Sequence, residues 1–134
     1  MLVDVHSAGL CGCDAHAFLC HGDYEWTRLP RIVGHEYSGR VAALGPGVDG
    51  FDVGDPVVEE PIHECGDCVQ CAREQANVCQ NVHVSGMHGD GGWADYSVVP
   101  AERLHPVPEG VSLREAAIAE PASVAARAVF SVAD

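Results

Sequence analysis

The stretch "HEYSGRVAALGPGVDGFDVGDPVV", residues 35–58, decides the fold. Its first ten residues, 35–44, alternate apolar and polar side chains closely enough to predict a half-buried β-strand. Residues 45–50, "GPGVDG", gather glycine and proline into a turn cluster, after which "VGDPVV" at 53–58 predicts a second short strand. Working outward, "LVDVHSA" at 2–8 predicts a strand before this pair, and "GGWADYSVVP" at 91–100 another after it. Pro100 closes the last, because it has no N–H for a ladder. Helical signals are few. A short helix is expected near Cys13, and "SLRE" at 112–115 spells a capping box. A final helix is expected from about Pro121, a residue suited to a first helical position, to the end of the chain. Internal repeats and low-complexity tracts are absent from the sequence. The prediction is a mainly β fold with a few short helices, and 134 residues suit one domain.

Composition narrows the function classes. The N-terminus "MLVDVHSAGL" has no basic region and carries Asp4 inside its short apolar run, unlike a secretory signal. Even the apolar run "AAIAEPASVAARAVF" is broken by Glu120, Pro121 and Arg127, so the sequence offers no stretch of roughly 18 apolar residues to span a bilayer. A soluble, cytoplasmic protein is expected. Twenty Asp and Glu stand against seven Arg and no Lys, a formal net charge of −13. That balance disfavours nucleic acid and anionic membrane surfaces as partners, since both are bound through cations. The same balance fits either adaptation to high salt or a genome that prefers Arg to Lys.

"CGDCVQCAREQANVC", residues 65–79, places four cysteines in fifteen positions as Cys65-x-x-Cys68-x-x-Cys71-x7-Cys79. Structural disulfides are rare in a reducing compartment, and seven cysteines, an odd number, cannot all pair within one chain. A redox Cys-x-x-Cys needs two thiols at the start of a helix, and iron–sulfur clusters use other spacings. A closed structural zinc site of four thiolates fits best, with Gly66 helping the chain to turn. His63 stands beside this run as a further nitrogen, unneeded once four thiolates are available.

A second constellation lies upstream in "CGCDAH" (11–16) and "GHE" (34–36). Cys11, His35 and a carboxylate would make a three-ligand zinc site with a fourth position open for water or substrate. Taken alone, these residues are more often ordinary core and surface positions.

The order of motifs changes that balance. "AGLCGCDAH", "IVGHEYSGRVAALGPGVDGFDVGDPVV", "CGDCVQCAREQANVC", "GGWADYSVVP" and "AAIAEPASV" together resemble the zinc-dependent medium-chain alcohol dehydrogenases in order and spacing, over nearly the whole chain. The resemblance implies a GroES-like, partly open β-barrel over 1–134, with a structural zinc lobe at about 62–82 held by Cys65, Cys68, Cys71 and Cys79. It implies a catalytic zinc on Cys11 and His35, completed by Glu36 or Glu120. Glu120, in its Glu-Pro pair, is similar to the branch acting on polyols, butanediol, glucose and threonine. Asp14 would orient the His35 ring, and it also suits the first turn of a helix. The family's proton relay runs from a Ser or Thr two positions after the zinc cysteine to a later His. Here those positions are Cys13 and His16, and a thiol is a poor substitute for a hydroxyl; Cys13 could also compete for the metal.

The resemblance further implies oxidation of a secondary alcohol or polyol by hydride transfer to NAD or NADP, in a homo-oligomer, a dimer or tetramer. The cofactor would sit on a Rossmann domain marked by a Gly-x-Gly-x-x-Gly turn, expected beyond Asp134 rather than within the chain. The first strand or two of the catalytic domain would also precede Met1. On this reading residues 1–134 alone are expected to be inactive. The competing reading is a stand-alone zinc-stabilised GroES-like binding module, which would have no use for Cys11, Asp14, His35 and Glu120 together.

Overall fold

The computed structural model describes residues 1–19 and 29–132. Strand β1 (Leu2–Ala8) pairs antiparallel with β2 (Tyr37–Ala43), which pairs with β3 (Pro56–Glu59). Two further strands complete the sheet. β6 (Tyr96–Val98) lies against β1 and β7 (Leu104–Pro106) against β3, giving the order β6-β1-β2-β3-β7. β4 (Ile62–His63) and β5 (His83–Val84) form a separate two-stranded sheet that joins the two ends of the cysteine-rich segment. The helices among the described residues are α1 (Gly12–Phe18), α2 (Leu113–Ala116) and α3 (Ala119–Phe130). This is the mainly β arrangement with few short helices that the sequence predicts. No helix among the described residues is long and apolar enough to cross a membrane.

The strands form where β-branched residues have a common interior to fill. Val3, Val41, Val57 and Val99 are almost wholly buried and pack with Tyr37 and Leu104, while Met1, Val5 and Phe51 close the edges. Fully burying one such side chain stabilises by about 1.5–3 kcal/mol. Tyr37 brings a hydroxyl into this core and donates it to Ser97 Oγ at 2.9 Å. Val107, Leu113 and Ala116 form a smaller cluster against Val58. The buried Ser38 hydroxyl donates to the Leu113 carbonyl, so β2 carries α2 directly.

Several boundaries differ from expectation. The strand expected at 35–44 begins at Tyr37, leaving His35 and Glu36 at its entry. The strand expected at 53–58 is displaced to 56–59, because 53–54 complete the turn and the Gly54 N–H donates to the Val41 carbonyl at 2.8 Å. Of 91–100 only 96–98 is strand. Residues 91–93 are spent on another ladder: Gly91, Gly92 and Trp93 donate their N–H groups to Ile32, Gly34 and Val33.

The final helix starts at Ala119, not at Pro121, and ends at Phe130, short of the chain end; residues 133–134 lie outside the described residues. Ala117 already has helical dihedrals, so the chain passes from α2 into α3 almost without a break. Pro121 is then the third helical residue. It is tolerated because the first four N–H groups of a helix have no intrahelical acceptor.

The expectation that the chain holds no Gly-x-Gly-x-x-Gly also needs correction in the letter. Gly45-Pro-Gly47-Val-Asp-Gly50 spells it, after β2. These residues turn into β3 rather than into a helix, so the helix N-terminus that holds a pyrophosphate is missing from this turn.

Candidate metal centres

At the cysteine-rich segment, short 3-10 turns at Cys71–Arg73 and Ala76–Val78 coil the chain around the thiols. The Cys65, Cys68, Cys71 and Cys79 sulfurs all lie within 4.8 Å of one another. Individual separations are 3.5 Å for Cys68–Cys71 and Cys65–Cys79, 3.9 Å for Cys68–Cys79 and 4.0 Å for Cys65–Cys71. A disulfide would require about 2.0 Å. Four sulfurs each about 2.3 Å from a common centre stand about 3.8 Å apart at the corners of a tetrahedron, so the spacing fits zinc. Electrostatics agree. N–H groups around Cys68, that of Cys71 foremost, pull its thiol down to about 6, whereas burial and the neighbouring Cys68 push Cys71 up to about 12. A divalent ion would stabilise all four as thiolates.

The second centre gathers at the entry to β2. Cys11 caps α1 in an extended conformation, and Asp14 Oδ2 accepts its backbone N–H at 3.0 Å, which is why "CGCD" opens a helix. Asp14 Oδ1 also faces His35 Nδ1 at 3.8 Å, beyond hydrogen-bond range. His35 is 5% exposed, and its Nδ1 has no hydrogen-bond partner. Its Nε2 faces the Cys13 sulfur at 3.5 Å.

Donor atoms of Cys11, Cys13 and His35 lie within 4.8 Å of one another, and so do those of His35, Glu36 and Glu120. His35 belongs to both sets. Glu120 arrives from the first turn of α3, and burial, with Glu36 adding to it, raises its carboxyl above the usual range. Burial, with the Cys11 thiol beside it, likewise pushes Cys13 up to about 12. Weakly solvated donors with raised proton affinities are what a buried cation would relieve, so this donor set fits a zinc ion too. His35 is thus shared by two donor sets, one with Cys11 and Cys13 and one with Glu36 and Glu120, with Asp14 behind the imidazole, while Cys11 and the two carboxylates do not fall in one set, and His16 lies exposed on α1.

One contributor to this site carries no ligand atom and gave no signal of its own. The Trp93 indole N–H donates to the Gly9 carbonyl at 2.9 Å. A Cβ on Gly34, whose φ is +91°, would stand 2.1 Å from the Trp93 ring. Gly9 in turn donates its N–H to the Glu36 carbonyl at 2.6 Å, and a Cβ there would meet Glu36 Oε2 at 2.4 Å. Trp93 therefore ties the segment before Cys11 to the segment before His35. The only sequence cues were the glycines beside each ligand.

Comparison with known proteins agrees with this architecture. Residues 1–109 match the alcohol dehydrogenase GroES-like domain. The chain is 40% identical over 124 residues to 2-dehydro-3-deoxy-L-galactonate 5-dehydrogenase of Pseudoalteromonas atlantica, covering 92% of this chain and 36% of that protein. It is 38% identical over 128 residues to L-threonine 3-dehydrogenase of Pyrococcus horikoshii, covering 90% and 35%. A crystal structure described as short chain alcohol dehydrogenase (rspB) from Escherichia coli CFT073, complexed with NADH, superimposes with a TM-score of 0.84 at 39% identity, over 93% of this chain and 36% of that one. The chain therefore spans only about a third of the length of these relatives.

Proposed function

The chain belongs to the zinc-dependent medium-chain alcohol dehydrogenase family, and from that premise we propose that it is the substrate-activating part of an NAD- or NADP-linked enzyme that oxidises a secondary alcohol or polyol. The observation that carries this reading is the pair of donor sets that share His35 at the entry to β2, Cys11 and Cys13 in one and Glu36 and Glu120 in the other, together with a separate four-cysteine cluster. Relatives named for galactonate and threonine oxidation act on secondary hydroxyls of small polar molecules, which fits the substrate class.

Cys11 and His35, with Glu36 or Glu120, would hold one zinc, and Cys65, Cys68, Cys71 and Cys79 the other. The ion at the open site supplies Lewis acidity, which lets an alcohol hydroxyl lose its proton near neutral pH. The chain's own groups do the rest. Asp14 lies behind His35 and favours the tautomer that leaves Nε2 free to ligate. Trp93 holds the two ligand segments in register. Glu120, with its raised proton affinity, is suited to exchange position with Glu36 or to take a proton. Cys13 and His16 occupy the family's relay positions. The acidic surface fits a cytoplasmic protein that avoids nucleic acid and membranes, and a homo-oligomer fits the family.

The test is an assay of the gene product that contains this chain, with secondary alcohols and polyols and each dinucleotide. Oxidation that is lost on chelation and abolished by His35→Ala is expected; activity indifferent to both would overturn the reading.

A further inference from the structure

We infer that Cys13 is itself a ligand of the open metal site, so that Cys11, Cys13 and His35 form its donor set while Glu36 and Glu120 are neighbours rather than required ligands. The inference rests on the reading of this site as a zinc centre, and changes which residues build it.

Geometry comes first. The Cys11 and Cys13 sulfurs and a His35 ring nitrogen lie mutually within 4.8 Å. For a tetrahedral ion with sulfur at about 2.3 Å and imidazole nitrogen at about 2.0–2.1 Å, those two ligands stand about 3.5–3.6 Å apart. Cys13 Sγ and His35 Nε2 are 3.5 Å apart. The ring's other nitrogen is turned toward Asp14, so Nε2 is the one offered to a metal. Cys13 sits in the first turn of α1 directly after the extended cap residue Cys11, which lets two sulfurs only two positions apart converge on one point.

Charge and softness point the same way. Two thiolates neutralise a divalent ion, and adding a carboxylate would leave an excess negative charge in a partly buried site. Thiolate is also the softer donor and the one zinc favours over carboxylate oxygen in mixed sites. Cys13 as a ligand cannot stand in for the relay hydroxyl, so its two roles exclude each other.

Cadmium-113 NMR on the full chain, loaded with cadmium under reducing conditions, separates the possibilities because the chemical shift reports the number of thiolates on the metal. Two resonances are expected, one from the four-cysteine cluster at lowest field and one from the open site. Cys13→Ser and Cys13→Ala should both move the second resonance upfield, by about as much as Cys11→Ser does, and leave the first unmoved as a sign that the fold is intact. A second resonance that moves with Cys11→Ser but not with either Cys13 variant would overturn the assignment of Cys13. If the unmodified chain binds one cadmium and shows only the four-thiolate resonance, the zinc-centre reading fails and this inference fails with it.

Discussion

At the scale of single residues, Trp93 is the clamp between the two segments that carry the donors. The indole N–H to Gly9 is a side-chain bond tying the Cys11 loop to the 91–93 ladder, across 84 residues of sequence. Trp93→Phe keeps the ring over Gly34 and removes that bond. A hydrogen bond of this kind is worth about 0.5–1.5 kcal/mol, so a modest fall in stability is expected. The larger effect belongs to the open site, whose zinc should dissociate faster while the four-cysteine zinc is retained. Metal release to a chromogenic chelator measures this, and equal rates for both proteins would show that Trp93 does not position the site. Nothing short-range in the sequence marks such a contact. Cys11, His35 and the four cysteines are legible because ligand chemistry restricts residue types, whereas a clamp needs only an aromatic of the right reach.

At the scale of elements, what can be read in advance is what local forces determine. β2 follows from alternation, and α2 from its capping box: Ser112 Oγ accepts the Glu115 N–H at 3.2 Å, and the Glu115 carboxylate accepts the Ser112 N–H at 3.0 Å. The two-residue strands β4 and β5 are invisible locally because they exist only through pairing Ile62 with Val84 and His63 with His83. β7 likewise depends on β3 for its partner.

The capping box also carries a pH dependence. Hydrogen bonds from Ser112, its side chain first, hold Glu115 below the usual carboxylate range. A depressed folded-state value stabilises above the unfolded value, about 4.3, and is lost as pH falls through the folded one. Ser112→Ala should therefore lower stability at neutral pH, as the loss of a helix cap does. The difference from the parent should shrink below about pH 4 in denaturant titrations; a difference independent of pH would show that Glu115 does not contribute through its charge.

At the scale of the whole molecule, twenty acidic residues against seven arginines must repel one another in the compact state. The few short ion pairs, such as Arg103 with Glu64, do not offset a charge of −13. Raising the salt from low ionic strength to about 0.15 M, where the screening length is about 8 Å, should raise the melting temperature. A flat or falling melting temperature would mean that repulsion is not a significant term. This imbalance is fully legible in the composition, unlike the open site, which depends on the start of α1, the entry to β2 and the first turn of α3 bringing distant residues to His35.

The central claim is that this chain is built around two zinc ions held with different tightness, one in a closed all-thiolate cage and one at an open site that shares His35 between two donor sets. Metal analysis of protein purified without chelator tests it most directly, before and after brief chelation. Two zinc ions per chain are predicted, falling to one on brief chelation because the open site empties first, with Cys68→Ser removing the retained ion and His35→Ala the other. A chain that carries no zinc, or whose zinc content is untouched by Cys68→Ser, would contradict the account.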